Sequence, residues 1–434
     1  MSASALPPSA STASPATLAS SSVTTTAPAT PAGRTPPSAR LVSLDALRGF
    51  DLFWILGGDA VLQLLGGVIP VQPFSFLAQQ FNHKGWAGFA FYDLIFPLFV
   101  FMVGVSSVFS LTRLIEQQGR AVAIRRVLVR FALLYALGLF YSGGFSTAWP
   151  DIRLLGVLPR LALAYLGGGL LFCFFKPRAL AGIFVALLVG YWALLSFAPI
   201  RDFKLEKSSI AARLGTDKPT PAQIRTAYEA TTERVTGRFE PGLNLANHFD
   251  FEHLPGRKYD VYWDPEGIVS TIPAVATCLL GILAGVLLRR TDLRDPQKLA
   301  WLALGGVAAL ALGWLWHLQF PVVKKIWTSS FVLVAGGWSL LLLAGFYYIV
   351  DMRRWRGWCQ PFVWVGMNAI TLYLISGIVG YRRLAQRIAG GDVKTWFDTT
   401  VGARTGDLII AIVGLVLMLA LARFLYRRQI FLRV

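Results

Sequence analysis

The stretch from Phe81 to Gly104, FNHKGWAGFAFYDLIFPLFVFMVG, brings together an imidazole at His83, a carboxylate at Asp93 and a long apolar run interrupted by Pro97. A neutral imidazole takes a proton from an attacking nucleophile, or carries an acyl group itself. A carboxylate bonded to its other nitrogen fixes the tautomer that makes it a base. In a continuous helix the two side chains would stand about 15 Å apart, at about 1.5 Å per residue. Contact therefore requires the chain to fold back near Gly85 to Gly88, where glycine lets the backbone turn close to a ligand. Without that fold-back, Asp93 pairs with an arginine and His83 is a solvated loop histidine. An acid at the head of a run otherwise fit for lipid is a functional-site signal in either case, because it is expensive there unless it faces a cavity or a partner. Asn82 and Trp86, which flank the histidine in NHKGW, are candidates for touching a substrate.

Other polar groups sit inside or beside apolar runs. Asp45, Arg48 and Asp51 recur at spacings of three in LVSLDALRGFDLFWILGG, so they share one helical face. They form either a snorkelling helix start or a cationic rim for a charged ligand. Arg160, in DIRLLGVLPR, pairs with an acid or binds an anion. Asp264 and Glu266, in YWDPEGIVST, either cap the following helix or recognise the amine or hydroxyls of an amino sugar. Asn368 is an amide within a span, suited to bonding across helices. Trp327 to Ser330, after Lys324 and Lys325, reads as an interfacial anchor. His248, His253 and His317 read as structural or solvated. Cys173, Cys278 and Cys359 match no metal or disulfide spacing and read as small buried hydrophobes. The chain has no GxxxxGK[ST], Rossmann, GxSxG or HExxH pattern, so no metal site and no soluble nucleotide fold is expected.

The elements that must hold these groups are membrane helices. The 434 residues are 55% hydrophobic and 15% charged, with a mean hydropathy of +0.56, which is the balance of an all-α polytopic membrane protein rather than a soluble domain. A span needs about 20 apolar residues. Ten segments qualify: 46–69, 89–114, 127–145, 155–175, 180–200, 268–288, 299–320, 327–350, 361–381 and 407–426. The net charge of +18 does not imply nucleic acid, because the Lys and Arg residues sit in short loops, where they report topology. Those before the first span and after the second, fourth, sixth, eighth and tenth fall on one side, which places both termini in the cytoplasm. One loop dissents: Arg382, Arg383, Arg387, Lys394 and Arg404 would lie outside, a pattern that fits an interfacial or half-membrane segment. This topology puts His83 on the outer face and exports the loop 201–267, in which a helix is expected near Thr220 to Val235 with Pro221 in its first turn. Residues 1–40, rich in Ser, Ala, Thr and Pro, read as a disordered tail without a cleavable signal, leaving 41–434 as the membrane domain.

In motif order the chain resembles the heparan-alpha-glucosaminide N-acetyltransferase family, a lysosomal transmembrane enzyme and its bacterial relatives. The resemblance is carried by RLVSLDALRGFDLF, NHKGW followed by FYDLIFPLFVFMVG, GVLPR, YDVYWDPEGIVSTIPA, KKIWTSSFVL and FVWVGMNAITLY. It implies an acyltransferase with a catalytic histidine falling on His83, a multi-pass fold and a dimer. It also implies transfer of an acetyl group from cytoplasmic acetyl-CoA to a glucosamine-type amine across the membrane, here the bacterial inner membrane with His83 on the periplasmic side. Asp93 is the candidate partner of His83, conditional on the fold-back at the glycines. Arg48 and Arg160 are the cations for the donor, and Asn82, Trp86, Asp264, Glu266 and Asn368 the candidate acceptor contacts. Two rival readings are an O-acetyltransferase of an envelope polysaccharide and a transporter or flippase whose buried charges line a path.

Overall fold

The computed structural model describes residues 41–432, so the tail assigned above to residues 1–40 lies outside the described residues. The chain opens with α1 (Val42–Phe53) and passes through one π-helical turn, Trp54–Gly58, into α2 (Asp59–Val68). The break sits at Gly57, whose φ of 124° is costly for any residue with a Cβ. A short α3 (Phe74–Gln80) leads to the histidine loop and then to α4 (Phe91–Gln118), α5 (Arg120–Tyr141), α6 (Val157–Phe174) and α7 (Pro177–Phe197). A small extramembrane subdomain follows. It consists of β1 (Ile200–Arg201), α8 (Lys207–Leu214), α9 (Pro221–Ala230), β2 (Arg234–Val235) and α10 (Leu245–His253), with β1 and β2 paired antiparallel. Then come α11 (Thr271–Arg289), α12 (Asp295–Trp316), α13 (Ser329–Phe346), α14 (Gln360–Met367), α15 (Ala369–Ile378), α16 (Tyr381–Ala389), α17 (Asp392–Thr400) and α18 (Thr405–Arg427).

The protein is an all-α polytopic membrane protein. Among the described residues, eight helices are long and apolar enough to cross a membrane, and a ninth crossing arises if α14 and α15, bent by 76° across Asn368, are one span. The expected third span, 127–145, coincides with α5 only as far as Tyr141. That helix starts at Arg120 and carries Arg125, Arg126 and Arg130, too many charges for a span by composition. Its far end still packs in the bundle, where Tyr141 stacks on Tyr373 of α15 with ring centroids 4.7 Å apart.

Contacts show which helix ends lie together. Val42 and Ser43 donate their backbone N–H groups to Asp351, Arg289 bonds Glu116, and Tyr347 bonds Asp295. The start of α1, the ends of α4, α11 and α13 and the start of α12 thus share one end, where many of the arginines between spans cluster. At the opposite end Trp86 donates to the Phe239 carbonyl at 2.7 Å, Gly88 to the Val322 carbonyl at 2.9 Å, and Tyr191 to the Ile326 carbonyl at 2.6 Å. The helices approach closely through small residues. A Cβ on Gly104 would lie 2.1 Å from the Cys278 carbonyl oxygen, and one on Gly281 would lie 2.0 Å from that of Phe101, so α4 and α11 meet backbone to backbone.

In the subdomain, Thr220 caps α9 with Gln223 and Pro221 occupies its first turn, so the helix expected near Thr220 forms but stops at Ala230. Phe203, Leu205, Ile210, Ile224, Tyr228 and Trp263 give it a core of its own. Trp86 packs edge-on against Trp263 at 5.8 Å and so ties that core to the histidine loop.

Candidate active site

The chain does fold back between His83 and Asp93. Gly88, at φ 113°, makes the turn, and Ala87 pairs antiparallel with Val323, pinning the loop to the segment that precedes α13. At the head of α4, the Asp93 carboxylate accepts the backbone N–H of Ala90 at 3.1 Å and that of Lys84 at 3.3 Å through Oδ2. Its Oδ1 lies 2.8 Å from Nδ1 of His83. Pro97, one turn on, has no N–H to offer the Asp93 carbonyl, which loosens the helix where the carboxylate is anchored.

The pairing beside Val323 carries Lys324 to the same place. Its Nζ is 3.4 Å from Asp93 Oδ1 and 3.1 Å from His83 Nδ1. An ionised carboxylate only accepts hydrogen bonds. The arrangement suits a neutral imidazole that donates its Nδ1–H to Asp93, beside Lys324 donating to the same carboxylate, a tautomer in which Nε2 carries the lone pair. The Asp93 side chain is 2% exposed and that of His83 54% exposed, so a buried acid orients a ring that reaches solvent. Burial pushes Lys324 below the ordinary lysine range, against the opposing pull of Asp93. Tyr92 lies against the His83 ring at 4.8 Å and is itself held by a 2.7 Å bond to Asp59.

His83, Lys84, Asp93 and Lys324 form one polar side of a cavity of about 590 Å³. Arg153, Tyr259, Glu266 and Lys325 also line it, and its deeper wall is apolar, with Leu52, Ile55, Phe96, Phe99, Leu161 and Trp327. A cavity of this size, largely apolar with a few convergent polar groups, is the usual form of a small-molecule site.

The other acids divide their roles. Arg153 grips Asp264 with both ends of its fork, at 2.9 and 2.8 Å, and reaches Glu266 at 2.8 Å. Burial alone would raise Asp264, but the bidentate arginine outweighs it and holds the carboxyl below its usual range. Asp264 is thus a fully enclosed strut and is absent from the cavity wall, where Glu266 remains. Glu266 is raised, chiefly by burial, with Arg160 and Arg153 opposing. Beneath the turn, Asp250 accepts the backbone N–H groups of Ile268 at 2.9 Å and Asp264 at 3.3 Å, and burial pushes it up to about 6.

Several expected residues stand elsewhere. Arg160 is fully buried at the site end, bonding the Gly267 carbonyl and the Ser270 hydroxyl and lying 5.1 Å over Trp327. Arg48 bonds Ser106 at 2.6 Å and pairs with Asp45 at 3.4 Å. Ser106 is thirteen residues beyond Asp93 on α4, about 20 Å along the helix, so the two arginines do not form one binding site. Asn82 is exposed and bonds the Ala78 carbonyl. Trp86 is the strut described above. Asn368 sits buried at the α14–α15 bend, its amide without a hydrogen-bond partner among the described residues. Trp327 is no interfacial anchor. It is 1% exposed and donates to Thr277 at 3.1 Å, walling the cavity. His248 bonds Tyr228 at 3.0 Å and burial lowers it to about 4, while His317 accepts the Val322 N–H at 2.9 Å; both are structural. The three cysteines are free and buried.

Sequence reading passed over Lys324, Arg153 and Tyr259. The signal for Lys324 was present. A lysine pair directly before a span, at the end opposite most of the short basic loops, breaks the charge rule and so asks for a local partner.

Comparison with known proteins adds three findings. Residues 40–205 match the family model described as heparan-alpha-glucosaminide N-acetyltransferase, catalytic. Heparan-alpha-glucosaminide N-acetyltransferase of Mus musculus is 26% identical over 384 residues, covering 82% of this chain and 56% of that protein. The Homo sapiens protein of the same name is 27% identical over 331 residues, covering 68% of this chain and 48% of that protein. The chain spans about half the length of the curated relatives it matches. These matches support the resemblance drawn from the motifs: the chain is similar to that family, and the matched segment contains His83, Asp93 and Arg153.

Proposed function

We propose that the chain is a transmembrane acetyltransferase that moves an acetyl group from acetyl-CoA, supplied at the arginine-rich end, to an amino sugar or glycan acceptor entering at the histidine end. The observation that carries this reading is His83. One ring nitrogen is closed off by the buried Asp93, and the other is left as a base in a cavity that opens to solvent and reaches into the bundle.

In direct transfer, the acceptor amine gives its proton to His83 Nε2 as the C–N bond forms and the thioester C–S bond breaks. The proton then passes to the departing sulfur. Asp93 and Lys324 do not touch the acceptor. The carboxylate stabilises the imidazolium that forms, and the ammonium keeps that carboxylate ionised. In the two-step alternative Nε2 attacks the thioester carbonyl and the C–S bond breaks, releasing coenzyme A as its thiolate. The acceptor amine then attacks the acetyl-imidazole, the N–C bond to His83 breaks, and the amine's proton returns to Nε2 and passes to the thiolate. Glu266, which also lines the cavity, is the candidate to receive an amine or hydroxyl. For the donor, the cavity descends along α4 to Phe99, and the Arg48–Ser106 pair stands seven residues farther on, about 10 Å deeper. An extended thioester arm reaching up from the arginine-rich end would meet His83 by this route. On this topology the His83 face is the outer one and the arginine-rich end cytoplasmic.

The test is acetyl transfer from labelled acetyl-CoA by the full chain reconstituted in vesicles, with glucosamine and with hydroxyl acceptors in parallel. Transfer to the amine that vanishes in His83→Ala supports the reading. Undiminished transfer in that variant overturns it, and a preference for hydroxyl acceptors makes the protein an O-acetyltransferase. Label retained on the protein without acceptor marks the two-step route.

A further inference from the structure

The dissenting arginines lie on α16, a helix with two unlike faces. Ala385 and Ala389 are buried and pack with Ile410 of α18. Beside them, four residues apart and so on one edge, Leu384 is 47% exposed and Ile388 56% exposed. Arg383 and Arg387, four residues apart, share the edge next to Leu384, and Arg382 stands on the other flank of the alanines; all three are exposed. No carboxylate among the described residues pairs with any of the three, although Lys394 in the next helix finds both Asp398 and Asp407. The apolar edge continues into α17 with Trp396, 56% exposed, and Val393.

The helix also has a definite place. Tyr381, its first residue, lies against Gly57, and Arg404, after α17, lies against Gly67 of α2. The α2–α3 segment leads directly into the histidine loop, so α16 and α17 flank the site end of the bundle. Water would cover the arginines but leave Leu384, Ile388 and Trp396 wet. An acidic polymer would neutralise the arginines and leave the same residues wet. A leaflet containing anionic phospholipid satisfies both sets, with the apolar edge in the acyl boundary and the guanidinium groups on phosphates.

We propose that α16 and α17 form an interfacial anchor that binds the anionic phospholipid headgroups of the leaflet at the histidine end. The arginines that break the topology rule are then lipid ligands, and the anchor sets the height of the cavity mouth above the bilayer.

A nitroxide at Ile388→Cys in the full chain reads this directly, because the native cysteines are buried. The protein is reconstituted in phosphatidylcholine vesicles with or without phosphatidylglycerol. The expected result is a label accessible to lipid-dissolved oxygen and shielded from an aqueous nickel chelate when phosphatidylglycerol is present. In Arg382→Gln/Arg383→Gln/Arg387→Gln the apparent affinity for phosphatidylglycerol should fall about fivefold per arginine, roughly 100-fold in all. Equal aqueous accessibility in the two vesicle types overturns the proposal. So does shielding by a soluble acidic polysaccharide without phosphatidylglycerol, which would make the surface a glycan site. Should the triple variant fail to fold, the comparison of the two vesicle types with the otherwise native chain decides alone.

Discussion

The two ends of the helix bundle carry charge in opposite ways. At the rim of the arginine-rich end the ion pairs are open: Arg289 and Glu116 are 34% and 58% exposed, Arg290 and Asp292 51% and 61%, while the Arg48–Asp45 pair lies deeper and more covered. Such open pairs are worth little, because water and salt screen them. At the histidine end Asp93 and Asp264 are enclosed, at 2% and 0% exposed, and each is held by local donors together with one cation from a distant part of the chain, Lys324 for Asp93 and Arg153 for Asp264. Charges at the first end need only be numerous to orient the protein. Those at the second must be in particular places, since an enclosed charge is tolerated only with its partners.

The contrast is broken most directly by replacing the histidine. His83→Ala should lower acetyl transfer by about a thousandfold, the scale of a general base or nucleophile, with little change in melting temperature because the ring is half exposed. Asp93→Asn comes next. It keeps the shape but places an amide against Nδ1 and leaves Lys324 without its carboxylate. The rate should fall about 100-fold, read as kcat at saturating donor and acceptor. A retained rate would mean that the fold-back serves the loop and not the reaction.

Lys324 sharpens the comparison through pH. Burial lowers its pKa, so its ammonium loses its proton at a lower pH than an ordinary lysine. Asp93 then loses its nearest cation as pH rises, and activity should decline on the alkaline side. In Lys324→Arg the guanidinium stays charged throughout, and the alkaline decline should disappear even if the maximal rate is lower. Lys324→Met should cost about tenfold where the native lysine is protonated, the size of one hydrogen bond to a charged group, and the gap should close along the alkaline limb. A pH–rate profile of Lys324→Arg that superimposes on that of the native protein would remove Lys324 from the site.

How much of this was legible beforehand followed the range of the interactions. Spans are a matter of length and hydropathy in one window, and they were read nearly correctly. Only α5 departs in composition, because four arginines in its first half offset an apolar second half, although its far end meets the start of α6. The His83–Asp93 pair was legible as a condition, because the glycines allowed a fold-back that only the bridge to Val323 enforces. What stayed hidden was settled by contacts far apart in sequence. Asp264 and Glu266 sit two residues apart and look alike, yet Arg153, 111 residues from the first, encloses one and leaves the other on the cavity wall. Trp327 next to two lysines has the composition of an interface anchor, but its burial depends on Thr277 and Phe331. Arg48 and Arg160 were grouped as donor cations by type alone, and the antiparallel course of α1 and α6 puts them at different depths.

The smallest effects test whether depth or mere number of cations matters for the donor. Arg48 lies below the apolar wall of the cavity, with Ser106 holding its guanidinium at 2.6 Å. Arg48→Met should therefore raise the KM for acetyl-CoA about tenfold, the cost of one charge-assisted contact, and leave kcat nearly unchanged. Arg289 belongs to the same end but faces water, and Arg290, Arg294 and Lys298 remain on its loop to preserve orientation. Arg289→Gln should change KM and kcat by no more than roughly twofold. If Arg289→Gln instead matched or exceeded Arg48→Met, the donor would be held at the rim rather than within the bundle. The thioester would then have to descend the whole length of α4 to reach His83, and the route along Phe99 would lose its support.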